Sequence, residues 1–219
     1  MPKDRVGLLG GTFNPVHNGH LHAAEEVRRR VGLRRVLFIP SYIPPHKQSA
    51  EIASPEDRFA MVRLAVKDHP AFEASPIEID ARETSYSIIT LNKVKSLYEA
   101  SRVLFILGID AFVEIETWRS YRELLAQGQF IVMSRPGQGL DRARRVLPGE
   151  YASAIFDVPE SQPLTDELAD RYRIFLVPIE ALDISSTDIR RRVRQGRPVA
   201  GLVPEAVDFY IQKKRLYQE

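Results

Sequence analysis

The chain has 219 residues, with 31 basic against 29 acidic side chains and a formal net charge of +2, and it contains no cysteine. The absence of cysteine excludes a disulfide framework, a thiolate metal site and a cysteine nucleophile, and a charge of +2 is too small a field to draw nucleic acid or a membrane surface by itself. The 44% hydrophobic and 27% charged residues are ordinary for a globular protein, and no apolar run approaches the roughly 20 residues of a membrane span.

Taken in chain order, apolar runs alternate with amphipathic stretches. Val6–Leu9 is a short buried-strand pattern. Asn18–Val31 has the three-residue spacing of a helix through Leu21, Ala24 and Val27, and Val36–Ile39 is a second strand closed by Pro40. Ser54-Pro55-Glu56-Asp57 opens a helix, with Ser as the cap and Pro in the first turn. Phe72–Ile79 reads as a β-like stretch interrupted by Pro76, and Ile88, Leu91, Val94 and Leu97 keep helical spacing. Val103–Leu107 predicts a strand, Tyr121–Ala126 a helix, Phe130–Met133 a strand and Arg135-Pro136-Gly137 a turn. Ile174–Val177 is expected to be the last strand, followed by helices at Ile189–Arg194 and Pro204–Lys214, with Gly196 as a stop between them. Residues 137–170, rich in Gly and Pro, are expected to form surface elements or a mobile loop. Strands alternating with helices predict an α/β fold: a doubly wound, mainly parallel, Rossmann-like sheet with helices on both faces. A single domain over residues 1–219 is expected, with C-terminal helices from about residue 185.

The most informative segment is Gly10-Gly11-Thr12-Phe13-Asn14-Pro15-Val16-His17-Asn18-Gly19-His20, between the first strand and the first helix. Glycines there let backbone N–H groups approach a phosphate, and a helix N-terminus supplies partial positive charge. Neither the dinucleotide fingerprint nor the P-loop is present. Instead, His17 and His20 stand three apart at the helix start, on one face. One could cap a turn and the other pack. A zinc pair is less well supported, since no cysteine or nearby acid completes a ligand set. The pair suits anion chemistry better. Near the other end, Ile184-Ser185-Ser186-Thr187-Asp188-Ile189-Arg190 has capping-box spacing at Ser185 and Asp188, with Arg190 one turn in. Alone it could be a capped surface helix with a solvated basic face.

Together the two segments resemble the HxGH and ISSTxxR signatures of the nucleotidylyltransferase superfamily, with Asn14 where the usual form has Asp. Four further features resemble the bacterial nicotinate-nucleotide adenylyltransferases. These are Pro44-Pro45-His46-Lys47, the segment from Thr84-Ser85-Tyr86 to Leu91, Gly108-Ile109-Asp110 followed by Trp118, and Ser134-Arg135-Pro136-Gly137. Ile89 and Ile109 stand where many members carry Asp and Ala. The likeness runs from Val6 to about Tyr210, in the family's order.

The resemblance implies adenylyl transfer from ATP to nicotinate mononucleotide, giving nicotinate adenine dinucleotide and pyrophosphate, in NAD biosynthesis. It assigns His17 and His20 as catalytic. Gly10, Gly11, Thr12, Phe13, Lys47, Gly108, Asp110, Ser185, Ser186, Thr187 and Arg190 join them in binding ATP. Thr84, Ser85, Tyr86, Trp118 and Arg135 are assigned to the mononucleotide, with Trp118 as an aromatic platform and N–H groups around Ser85 and Tyr86 for the carboxylate. No carboxylate cluster suggests a protein-held metal, so Mg²⁺ is expected to arrive with ATP. The expected partners are these small molecules, without nucleic acid or membrane; a homo-oligomer is compatible, and the expected compartment is the cytoplasm. The rival readings are a nicotinamide-mononucleotide or pantetheine-phosphate adenylyltransferase, a nucleotide-binding regulator without catalysis, and a nucleic-acid binder using the Arg28–Arg35 and Arg190–Arg197 clusters.

Overall fold

A computed structural model describes residues 4–45, 52–99, 101–135, 137–147, 149–160 and 164–218. Seven strands, β1 (Arg5–Gly11), β2 (Arg35–Pro40), β3 (Phe72–Ala74), β4 (Arg102–Gly108), β5 (Gln129–Met133), β6 (Ile155–Asp157) and β7 (Ile174–Val177), form one sheet in the order β3-β2-β1-β4-β5-β7-β6. The β1/β4, β4/β5, β5/β7 and β6/β7 pairs run parallel, with Leu8 opposite Phe105 and Gly108 opposite Met133. The helices are α1 (Asn18–Val31), α2 (Pro55–Val66), α3 (Ser87–Leu97), α4 (Ile109–Phe112), α5 (Tyr121–Gln127), α6 (Asp141–Arg145), α7 (Asp166–Arg171), α8 (Ser186–Arg194) and α9 (Glu205–Lys214). They lie on both sides of the sheet. Covered on both faces, the strands are near-continuous apolar runs rather than alternating ones, which is why short stretches such as Val103–Leu107 read as strands at all. Among the described residues, no helix is long and apolar enough to cross a membrane.

Contacts gather the chain into two compact units. One takes the residues up to Leu9, with Ala23–Val36 and Tyr86–Ala181. Its core stacks Phe105 on Phe130, with ring centroids 5.9 Å apart, and packs Phe112 against the same ring. Arg5, buried at the start of β1, donates to the Val31 and Leu164 carbonyls and pairs with Asp166. The other unit takes Gly10–His22, Leu37–Ser85 and Leu182–Glu219. There α2 packs against both α9 and β3, and Phe38 packs on Phe72.

One expectation changes. Phe72–Ile79 is strand only as far as Ala74; the chain then turns, with the Asp80 N–H donating to the Pro76 carbonyl. The irregular 137–170 stretch holds α6, a 3₁₀ segment at Gly149–Ala154, β6 and α7. Of the three β6 residues only Ile155 is buried, so no periodic signal marks the strand.

Candidate nucleotide-binding site

The second unit contains the Gly10–His20 turn and the α8 start together. β1 runs out at Gly10 and Gly11, and the Gly11 carbonyl accepts from the Ser41 N–H just past β2. Phe13 then adopts φ 48°, the left-handed region that costs a residue with a side chain. Its buried ring makes a T-shaped contact with His20, centroids 5.1 Å apart, and tilts against Phe38 at 5.9 Å. Packing thus holds a backbone conformation that the sequence does not announce.

Past Asn14 the chain enters α1. The His17 carbonyl accepts from the His20 and Leu21 N–H groups, as a first helical turn does, and the Asn18 side chain and N–H donate to the Gly201 and Leu202 carbonyls. The two imidazoles stack with centroids 3.6 Å apart. Gly19 leaves room for this stack: a Cβ there would lie 3.1 Å from His17 Nδ1, closer than ordinary contact, and 3.5 Å from Ile184 Cβ. His17 is only 4% exposed, while His20 keeps partial access to solvent. The His17 N–H donates to His20 Nδ1 at 3.2 Å. A neutral His20 ring held this way carries its proton on Nε2, where it serves as a donor.

The turn is fastened by side chains that donate to its carbonyls. Arg190 Nη1 donates to Asn14 O at 2.9 Å, and Ser186 Oγ to Pro15 O at 2.9 Å. Ser185 caps α8 by accepting from the Asp188 N–H at 3.1 Å, as its spacing predicts. Thr187 Oγ1 accepts from Arg190, and Asp188 pairs with Arg191 and Arg192. Those two guanidiniums, Arg192 first, hold the Asp188 carboxyl below the usual carboxylate range.

Sequence reasoning missed two residues of this assembly. Arg58, on α2, is 1% exposed and donates to three backbone carbonyls, those of Thr12 at 2.8 Å, Tyr42 at 3.0 Å and Ala53 at 3.0 Å. Burial pushes its pKa down, and the carbonyls supply the hydrogen bonds that a buried cation needs. The second is Tyr217, whose hydroxyl donates to Asn14 Oδ1 at 2.8 Å. Neither lies in a motif, and no local pattern marks a charged or phenolic side chain that will pack against a distant turn. Lys47 and His46 lie outside the described residues.

Ser85 and Thr84 also belong to this unit. Thr84 bridges to Ile43, Ser85 Oγ accepts from the Tyr42 N–H, and the Ser85 N–H donates to the Ile43 carbonyl. This corrects one expectation. The Ser85 N–H is consumed inside the fold, so it is not a donor for a substrate carboxylate.

In the first unit, Gly108 ends β4 and precedes α4. Asp110, exposed on α4, accepts from Arg135 Nε at 3.3 Å. A Cβ on Gly108 would fall 2.2 Å from Asp110 Oδ1 and 2.7 Å from Arg135 Nε, so any other residue there would make these two flexible side chains move from their present positions. Trp118 follows a 3₁₀ turn, Ile115–Thr117, and is half-buried. Tyr86 is the N-cap of α3, and Arg119 lies over its ring at 4.6 Å. Gly108, Asp110 and Arg135 therefore form one cluster, at the carboxyl ends of β4 and β5, where open α/β sheets bind ligands. Among the described residues, no group of three or more His, Asp or Glu could hold a metal ion.

A parallel sheet whose first strand runs through a glycine turn into a helix headed by paired imidazoles defines the nucleotidyltransferase class of Rossmann-like proteins. A model of the Cytidylyltransferase-like family matches residues 8–192. Relatives named "Probable nicotinate-nucleotide adenylyltransferase" include one from Desulfitobacterium hafniense (strain Y51), 42% identical and covering 99% of this chain and 97% of its own. Another, from Desulfatibacillum aliphaticivorans, is 43% identical and covers 97% and 99%. Among solved structures, Plasmodium falciparum nicotinic acid mononucleotide adenylyltransferase complexed with NaAD superposes with a TM-score of 0.69 at 15% identity, covering 98% of this chain and 97% of that one. The chain belongs to the cytidylyltransferase-like family and, within it, to the nicotinate-nucleotide adenylyltransferases.

Proposed function

We propose that this protein transfers the adenylyl group of ATP to nicotinate mononucleotide, releasing pyrophosphate and forming nicotinate adenine dinucleotide, a step of NAD biosynthesis. The observation that carries this reading is the Gly10–His20 turn, with its stacked imidazoles and its fastening by Ser186 and Arg190. A phosphate oxygen of the mononucleotide attacks the α-phosphorus. The bond from that phosphorus to the bridging oxygen breaks, and pyrophosphate leaves. The nucleophile is already an anion at neutral pH, so alignment and charge stabilisation suffice.

In this reading the backbone from Gly10 to Phe13 and the His17 side face the ATP phosphates, and His20 Nε2–H stabilises the charge that develops on the α-phosphoryl group. Ser185, Thr187 and Arg190 close on the polyphosphate, as would Lys47, with Ser186 contributing its backbone N–H because its hydroxyl is given to the Pro15 carbonyl. Gly108 and Asp110 are assigned to the same nucleotide by the resemblance. The resemblance assigns Thr84, Tyr86, Trp118 and Arg135 to the mononucleotide, with Trp118 as the platform for the pyridine ring. The donors around the turn are imidazole, hydroxyl and guanidinium, poor ligands for a hard cation. ATP therefore enters as its Mg²⁺ complex, with the ion as part of the substrate. We assign the whole chain to one nucleotidylyltransferase domain working in the cytoplasm.

The test is pyrophosphate release from ATP with nicotinate mononucleotide, nicotinamide mononucleotide and pantetheine phosphate in turn, with and without Mg²⁺. Turnover is expected with the first, only when Mg²⁺ is present. Preference for either of the others, or ATP binding without release, overturns the reading.

A further inference from the structure

The Asn14 side chain sits at the middle of the turn and is 5% exposed. A buried amide oxygen needs its acceptor capacity used. Asn14 Oδ1 accepts from the Ala53 N–H at 3.0 Å and from the Tyr217 hydroxyl at 2.8 Å. The main-chain carbonyl of the same residue accepts from Arg190. The segment after α9 is built to deliver that hydroxyl. Arg215 caps α9 at φ 52°, the Leu216 N–H returns to the Ile211 carbonyl, and Tyr217 stands at φ 62°. Two non-glycine residues in the left-handed region within three positions persist only where the surroundings over-determine them. Burial pushes the pKa of the Tyr217 hydroxyl upward, against the opposing pull of Arg190 and Arg58, the side chains that fasten the Asn14 and Thr12 carbonyls. Tyr217 thus stays a neutral donor across the physiological range.

We propose that Tyr217 is a positioning residue for the nucleotide-binding turn: its hydroxyl, through Asn14, sets the backbone that places His17 and His20. Asn14 leads within three residues to His17, whose N–H fixes His20 through Nδ1. A turn released at Asn14 therefore lets the Nε2 donor drift from the reacting phosphorus. This inference rests on the proposed activity for its kinetic consequence, but its structural part is readable without any substrate.

The experiment is a double-mutant cycle with Tyr217→Phe, Asn14→Ala and the pair, with Asn14→Ser in place of the alanine variant if that one does not fold. In the nucleotide-free protein, the imidazole NMR resonances of His17 and His20 are expected to move in Tyr217→Phe, and no further when the change is made on top of Asn14→Ala. In turnover, Tyr217→Phe should lower kcat/KM for ATP about 3- to 10-fold, the loss expected for one buried hydrogen bond. KM for the mononucleotide should stay unchanged. On the Asn14→Ala background the same change should add less than about twofold. Equal losses on both backgrounds, a rise in both KM values together, or unmoved imidazole signals would overturn the proposal. Moved signals in an enzyme that makes no dinucleotide would keep the positioning role and sink the proposed activity instead.

Discussion

At the scale of single residues, the two imidazoles carry separable duties. His17 is buried and its ring lies over Gly19, whereas His20 is partly exposed with its proton directed to Nε2. His20→Ala should therefore cost about 10²-fold or more in kcat, with a small change in ATP affinity, because its contact strengthens as charge develops. Equal losses in affinity and rate would contradict that division. Gly19→Ala tests the stack itself. The new methyl, 3.1 Å from His17 Nδ1 and 3.2 Å from its Cε1, is closer than ordinary contact, so the ring must give by a few tenths of an ångström. The protein should fold, with kcat falling about 2- to 5-fold, since a full 1 Å displacement can cost about 10²-fold, and with the His17 and His20 NMR signals shifted; an unchanged rate would mean that the stack is incidental. The motif glycines and histidines were legible in the sequence because their residue types and spacing have few other uses. Arg58 and Tyr217 were not, because a side chain packed against a turn some 46 or 203 positions away leaves no local trace.

At the scale of elements, helix starts decide the chemistry. Ser54 accepts from the Asp57 N–H and Ser185 from the Asp188 N–H, both as the spacing in the sequence indicates. The start of α3 lies one residue past the Ser85–Tyr86 pair that the resemblance assigns to the carboxylate. Tyr86 is the N-cap at φ −98°, ψ 125°, with no side-chain cap bond, and the Ser85 N–H is spent on Ile43. In the proposed reading the donors that meet a carboxylate are those at the α3 start, from Tyr86 into the first turn. Ser87→Pro removes one of them at the position where helices tolerate proline best, and the extended backbone of Tyr86 suits a following proline. The ratio of kcat/KM for nicotinate over nicotinamide mononucleotide should fall, with the helix intact by circular dichroism. Trp118→Ala removes stacking that holds acid and amide rings alike. It should weaken nicotinate mononucleotide by about 1–3 kcal/mol, by analogy with base–aromatic stacking, with the ratio unchanged. If the tryptophan variant loses the ratio while the proline variant keeps it, the carboxylate is read elsewhere.

At the scale of the whole molecule, the alternation of strands and helices was enough to predict the doubly wound sheet. The α6, β6 and α7 elements escaped because they are three to six residues long and largely exposed, below the length at which periodicity speaks. The C-terminal helix was legible, but not its attachment. Tyr210, on α9, donates from its hydroxyl to Asp57 Oδ1 at 2.8 Å, tying α9 to the start of α2. Burial, reinforced by the Asp57 carboxylate, raises this phenol from 10.0 to about 12. The folded state therefore holds the proton more tightly than the unfolded chain, in which the group titrates near 10. Its contribution to stability is whole below about pH 10 and is lost as the pH rises toward about 12. Tyr217, shifted in the same direction, adds to the loss. Urea unfolding midpoints measured from neutral pH upward should fall steeply across that window, alongside the titration of the other tyrosines and the lysines. Tyr210→Phe should be less stable than the parent at neutral pH, and the gap should narrow as the parent's phenol ionises. A gap that stays constant across the alkaline window would show that the Tyr210–Asp57 bond does not hold α9 in place.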